Sequence, residues 1–194
     1  RLVGSEMCIR DRLDTISPYS DTISIPQAIS MTDNGPDTMV DWIWVELRDK
    51  DDATTVIAGQ SAVLQRDGDV VANTSDLATP VTFYNVPVGD YYVVVKHRNH
   101  LGIMTANTIS LKQVSTTIDF TDVNNEITYG SNAQTTFGMP TDTLAMWSGN
   151  ANGDTLIQYS GTDPDTPTIL SEVLNDIDNF LNFPTYAINR YNIN

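Results

Sequence analysis

The chain has 194 residues, 40 % of them hydrophobic and 18 % charged, enough apolar material for one good core and a small second unit. Ten lysines and arginines against 25 aspartates and glutamates leave a formal charge of −15, which repels phosphate backbones and argues against a nucleic-acid partner. No apolar run approaches the ~20 residues of a membrane helix, so helical membrane insertion is not expected. A single cysteine, Cys8, rules out a disulfide within the chain.

Residues 1–12, RLVGSEMCIRDR, lack the apolar core of a signal peptide. Their wording resembles the translation of sequencing-adapter DNA, and the expectation is a non-native lead. Residues 13–34 are rich in Ser, Thr, Asp and Pro, with one expected strand at 22–25, and Asp33-Asn34-Gly35-Pro36 is a turn. MVDWIWVELR, residues 39–48, alternates at period two: Ile43, Val45 and Leu47 load one face, Trp42, Trp44 and Glu46 the other. Paired tryptophans on one face fit either core packing or a sugar-binding platform, and the area an indole buries favours the core. Strands are expected at 54–58 and 61–65, with a break at Gly59, and Asp67-Gly68 marks a tight hairpin into Val70 and Val71.

Residues 81–83 read as a short strand, Val86 to Asp90 as a turn, and residues 91–96 (YYVVVK) as a strong strand. Tyr91, Val93 and Val95 share one face, and this strand is expected to be central. Two further strands are expected at 108–111 and 116–120. The total is about seven to nine short strands with turns every ~8–12 residues, a pattern that points to an antiparallel β-sandwich. Residues 129–143 are polar and irregular. In TILSEVLNDIDNF, residues 168–180, Ile169, Leu170, Val173, Leu174 and Ile177 fall at helical spacing, with Pro167 tolerated at the helix start. The division expected is a lead at 1–12, a sandwich at 13–128, a linker at 129–145 and a loop–helix unit at 146–194.

Ahead of that helix lies GNANGDTLI, with oxygen side chains at alternate positions and Gly153 permitting a sharp turn. Such spacing suits a hard cation with six to eight oxygen ligands, hence Ca2+. His97 and His100 form an H-x-x-H pair, a spacing compatible with zinc but without an evident third ligand, so capping of the strand end is the preferred reading. No G-x-S-x-G elbow and no glycine-rich phosphate loop occurs, and no enzymatic activity is expected.

The phrase F-x-N-V-P-x-G-x-Y-x-V-x-V, Phe83 to Val95, resembles the strand pair of transthyretin-like and Cna-B-like β-sandwiches. The longer wording VKHRNHLGIMT is similar to large secreted, haemagglutinin-like surface proteins of the Bacteroidota. These likenesses imply an extracellular or cell-surface location and a structural or adhesive role. The loop–isoleucine–helix order resembles a dockerin calcium repeat. That resemblance implies Asn150, Asn152 and Asp154 as ligands at the first, third and fifth positions and Leu156 as a backbone-carbonyl donor. The pattern's twelfth position is Gly161, so Asp163 and Asp165 are expected to supply the missing carboxylate. Dockerin units carry two such loops, and the chain is expected to be incomplete at both ends. The expected partners are other copies of the chain or neighbouring domains of the same surface protein. An unpaired tail at 13–29 is expected to complete a neighbour's sheet and build a fibre. The alternative is a carbohydrate-binding module that uses Trp42, Trp44 or Trp147 on a glycan.

Overall fold

A computed structural model describes residues 15–25, 35–72, 78–124, 127–137 and 143–175; the expected lead at 1–12 and the helical positions 176–180 lie outside them. The described chain is mostly β, with antiparallel pairing and one helix. In order it forms β1 (Met39–Asp49), β2 (Val56–Gln65), β3 (Val70–Val71), β4 (Gly89–Lys96), β5 (Asn99–His100), β6 (Ile103–Met104), β7 (Ile109–Leu111), β8 (Gln134–Phe137), β9 (Thr143–Met146), β10 (Ser148–Asn150) and α1 (Asp165–Asn175). Two compact units interleave in sequence: Arg1–Val95 with Thr108–Thr117, and Lys96–Asn107 with Ile118–Asn194.

In the first unit the strand order is β3-β2-β1-β4, with β7 also pairing β4. β1 is the strand most deeply placed. Trp42 is 1 % exposed and Ile43, its neighbour on the opposite face, 2 %. Alternation sends these two side chains to opposite sides of the sheet, so both faces of β1 are covered. β4 repeats this on a smaller scale, since adjacent Val93 and Val94 are both buried. The expected centrality of residues 91–96 is therefore shared with β1, which also carries the longest ladder, from Met39↔Gln65 to Arg48↔Val56 on β2.

Trp42 lies opposite Val63 and joins Met39, Val71 and Ile25 in one apolar cluster, against which Tyr19 and Ile23 pack. Ile23 and Ile25 belong to residues 15–25, which fold back on the sheet of their own unit. Hydrogen bonds Ser17 N to Ile23 O (2.8 Å) and Ile25 N to Thr15 O (2.8 Å) close this segment into a narrow loop. Asp21 fastens it: Oδ2 accepts from the Ser61 amide and Oδ1 from the Ser61 hydroxyl, both at 2.7 Å. Where a free strand is expected at 22–25, the structure has a single bridge, Ile16↔Ser24.

Gly59 does not break β2. A Cβ at Gly59 would lie 2.5 Å from the Trp44 ring, so the missing side chain makes the space in which the indole sits. The same ring packs against Tyr19, with centroids 5.7 Å apart and planes tilted by 39°. Trp44 Nε1–H donates to Glu46 Oε1 at 3.0 Å, and Glu46 Oε2 accepts from Arg48 Nε and Nη2 at 3.0 and 2.8 Å. The buried Glu46 charge thereby gains a cation and three hydrogen bonds, as a buried carboxylate requires. The β1–β2 turn is closed by Asp52, whose carboxylate accepts from the Thr54 hydroxyl and amide and the Thr55 hydroxyl; these bonds hold it below the usual carboxylate range. Residues 81–83 and 116–120, expected as strands, have no ladder.

In the second unit β8 and β9 form a hairpin with Gln134↔Met146 to Phe137↔Thr143, inside a stretch expected to be irregular. Threonine and glutamine supply no periodic apolar signal there, and the Gln134 side chain does the fixing by bonding Thr128 Oγ1 and Phe120 O. β5 pairs β10, which leads into the loop before α1. The helix begins at Asp165, three residues earlier than its apolar spacing indicates, and Pro167 falls in its first turn.

The core assignment predicts that Trp42→Ala destabilises the protein by about 3–5 kcal/mol, the usual cost of truncating a buried aromatic. Gly59→Ala should cost about 1–3 kcal/mol by displacing the indole. Tyr84→Ala, at a highly exposed position, should change stability by less than about 0.5 kcal/mol in the same urea titrations. A neutral Gly59→Ala would show that Trp44 does not depend on that space.

Candidate functional site

The loop from β10 to α1 gathers all six residues expected to bind a cation. Asn150 ends β10, opposite Asn99 on β5, and is buried. Its Oδ1 accepts from the Gly153 amide at 2.9 Å, and its Nδ2 donates to Asp154 O at 2.7 Å. Gly153 has φ +76°, a left-handed conformation in which a side chain would be strained. Two residues on, Asn152 Oδ1 accepts from the Asp154 amide at 3.1 Å. Asp154 Oδ1 in turn accepts from the Leu156 amide at 2.7 Å. Each short polar side chain thus turns the chain by bonding the backbone ahead of it, the reason Asn and Asp favour such loops.

Asp165 organises the loop from the other side. It is 3 % exposed, and its Oδ1 accepts from the Ala151 amide at 2.7 Å and the Asn152 amide at 3.4 Å. Oδ2 accepts from the Gln158 amide at 2.9 Å, while the Asp165 amide donates to Gln158 O at 3.0 Å. One carboxylate therefore ties both halves of the loop to the first turn of α1. The Gln158 side chain extends the tie by donating to Thr162 O and Asp163 O, and Thr166 Oγ1 donates to Tyr159 O at 2.6 Å.

Asn152, Asp154 and Asp163 meet at a shallow hollow of about 390 Å³, completed by Pro164, Pro167 and Thr168. Asn152 Nδ2 spans it, donating to Asp154 Oδ2 at 3.1 Å and Asp163 O at 2.8 Å. Asn150 and Asp165 are buried beside this hollow rather than lining it, and Leu156 has an exposed side chain. Among the described residues no group of three or more His, Cys, Asp or Glu converges as a metal cluster. The atoms there able to bind a cation are oxygens, with Asp154 and Asp163 as the charged members, a composition suited to a hard cation once the Asn152 Nδ2 hydrogen bonds give way.

The part played by Asp165 is more than the sequence reading assigns, and Gln158 and Thr166 are absent from that reading altogether. The available signal was the Asp-Thr-Pro opening of the helix, which marks a helix start and says nothing of a tie back to Ala151. Of the three tryptophans, Trp42 is buried in the core, and Trp44 is half-buried against Gly59 and Tyr19. Trp147 is 41 % exposed, and its Nε1–H donates to Asn132 O at 2.9 Å. His97 and His100 approach each other closely, with ring centroids 4.6 Å apart. Comparison with protein-family models, curated proteins and solved structures returns no match.

Asp165→Ala is expected to leave the Ala151 and Gln158 amides without their acceptor and to cost about 1.5–3 kcal/mol. Hydrogen exchange should accelerate at those two amides, while the exposed change Asp163→Ala leaves both protected. Equal protection in wild type and Asp165→Ala would remove the tie.

Proposed function

We propose that this chain is a non-enzymatic structural or adhesive module of a secreted bacterial surface protein, acting outside the cell and associating with copies of itself or with neighbouring domains. The observation that carries this reading is the outer edge of β2. Among the described residues, β3 covers Val63 and Leu64, and Asp21 covers Ser61. Gln60 Nε2 donates to Thr82 O at 3.1 Å; residues 56–59 lie beyond these contacts, and Val56 and Ile57, on opposite faces of the strand, are both exposed. Neither lysine nor proline guards this stretch, so a strand from another molecule has a template to extend. Residues 15–25 are engaged on their own sheet, which moves the expected contact from a donated tail to the β2 edge.

The charge of −15 opposes that contact between like copies, so association belongs to a saline setting in which the repulsion is screened. In the same reading the C-terminal loop binds Ca2+ weakly. Asn152, Asp154 and Asp163 face the hollow, and Asn150, the Leu156 carbonyl and Asp165 shape the loop behind it. The carbonyl-type oxygens that accept one amide keep a second lone pair for a cation. A second reading, a glycan-binding module, is favoured by one observation, the exposed Trp147 ring held at its nitrogen.

In sedimentation experiments the average mass should rise with protein concentration and with salt from about 0.01 M to 0.15 M, as the screening length falls from about 30 Å to 8 Å. Ile57→Lys should abolish the rise. A single monomeric species at every salt concentration would overturn self-association, and retention on a glycan column lost in Trp147→Ala would favour the second reading.

Millimolar Ca2+ should slow proteolysis within residues 155–175, with magnesium a poor substitute because it demands a tighter octahedron. Asp154→Ala should abolish the protection. Identical cleavage in Ca2+ and in EDTA would leave the loop as a turn without a metal.

A further inference from the structure

His97 and His100 are the only histidines in the sequence, and neither lines the oxygen-rich hollow. Their Nδ1 atoms lie 2.8 Å apart, with the ring planes inclined at 66°. The Arg98 carbonyl oxygen lies 3.0 Å from His100 Nδ1. A carbonyl oxygen only accepts, so the hydrogen bond to it places the proton on His100 Nδ1. His97 Nδ1 then presents its lone pair to the same N–H. One proton therefore holds two imidazole nitrogens and a peptide oxygen around a single point.

The backbone that brings them together is held across the turn and at its His100 end. The His100 amide donates to His97 O at 3.1 Å, closing the turn. His100 is paired with Ser148 on β10, and the Leu101 amide donates to Trp147 O at 2.8 Å. The two nitrogens consequently converge without help from a ligand, which removes much of the ordering cost of chelation.

We propose that this H-x-x-H turn is a binding site for a divalent transition metal of the Cu(II) type, with His97 Nδ1 and His100 Nδ1 as adjacent ligands and the Arg98 carbonyl as a weaker third donor. The metal takes the place of the shared proton. That proton leaves His100 Nδ1 for solvent, and both nitrogen lone pairs pass to the metal. At a metal–nitrogen distance of ~2.0 Å, ligands at a right angle stand about 2.8–2.9 Å apart and tetrahedral ligands about 3.3 Å. The separation of 2.8 Å is set by the hydrogen bond between the rings, and it needs little change to become the right angle of a tetragonal centre. Imidazole nitrogen with oxygen is the donor set of Cu(II), which also leads the divalent affinity series. Water fills the remaining positions, and the negative charge of the chain raises the cation concentration around it.

The test uses the full 194-residue chain without a histidine tag, titrated with Cu(II) near pH 7 against a glycine competitor. One equivalent should bind, about one proton should be released, and the electron paramagnetic resonance spectrum should show coupling to two imidazole nitrogens. His97→Gln and His100→Gln should each weaken binding by about tenfold or more, and Zn(II) should bind about tenfold more weakly than Cu(II) in the wild type. With only two histidines in the chain, a two-imidazole spectrum can arise only from this pair within a monomer, so the wild-type measurement decides even if a variant fails to fold. Copper held without imidazole coupling, affinity unchanged in folded His97→Gln, or zinc bound as tightly as copper would each overturn the proposal.

Discussion

Burial of both faces of β1 is the constraint on which the first unit depends. A strand with Trp42 on one side and Ile43 on the other has no face to give to water, so each side must be covered. Residues 15–25 cover the tryptophan side, and the position of Asp21 on Ser61 decides where they lie. The same burial imposes a sequence of polar obligations. Trp44 needs an acceptor for its N–H and takes Glu46; Glu46, carrying charge into a poorly hydrated place, needs a cation and takes Arg48. Arg48 then reaches Ala53 O through Nη1 at 3.0 Å and so anchors the turn into β2. A decision made by one indole is thus passed along the strand to the loop beyond it.

Among the described residues, N–H and O–H donors share these obligations with cations. Among the described residues the ion pairs are Arg48–Glu46 and the exposed Lys50–Asp51. Most structural carboxylates turn instead to N–H and O–H donors: Asp21 to Ser61, Asp52 to Thr54 and Thr55, Asp165 to three amides. A backbone amide is a donor that salt does not strip away, whereas an exposed ion pair weakens as ionic strength rises.

The proposed roles occupy separate places. The β2 edge offers backbone, the loop before α1 offers oxygen, and the H-x-x-H turn offers nitrogen. The last two differ in the hardness of their donors, so the cations they favour differ as well. Both lie in the second unit, on the two strands of the β5–β10 ladder: His100 pairs with Ser148, and Asn150 opens the oxygen loop two residues later.

Much was legible in the sequence because period-two alternation and turn chemistry are local. The alternating run at 39–48, the Asp67-Gly68 hairpin, the valine-rich β4 and the Asn-x-Asn-Gly-Asp turns of the loop all follow from neighbouring residues. What only the tertiary structure decided depends on partners far along the chain. Gly59 reads as a break until the Trp44 ring of the adjacent strand is found above it. Residues 15–25 read as a spare tail until Asp21 meets Ser61, 40 positions away. Asp165 reads as a carboxylate for a cation, with the helix starting at 168, and only the structure shows its side chain bonding the Ala151 amide across 14 positions. In each case the local chain tolerates several conformations of similar energy, and a single long-range contact selects one of them.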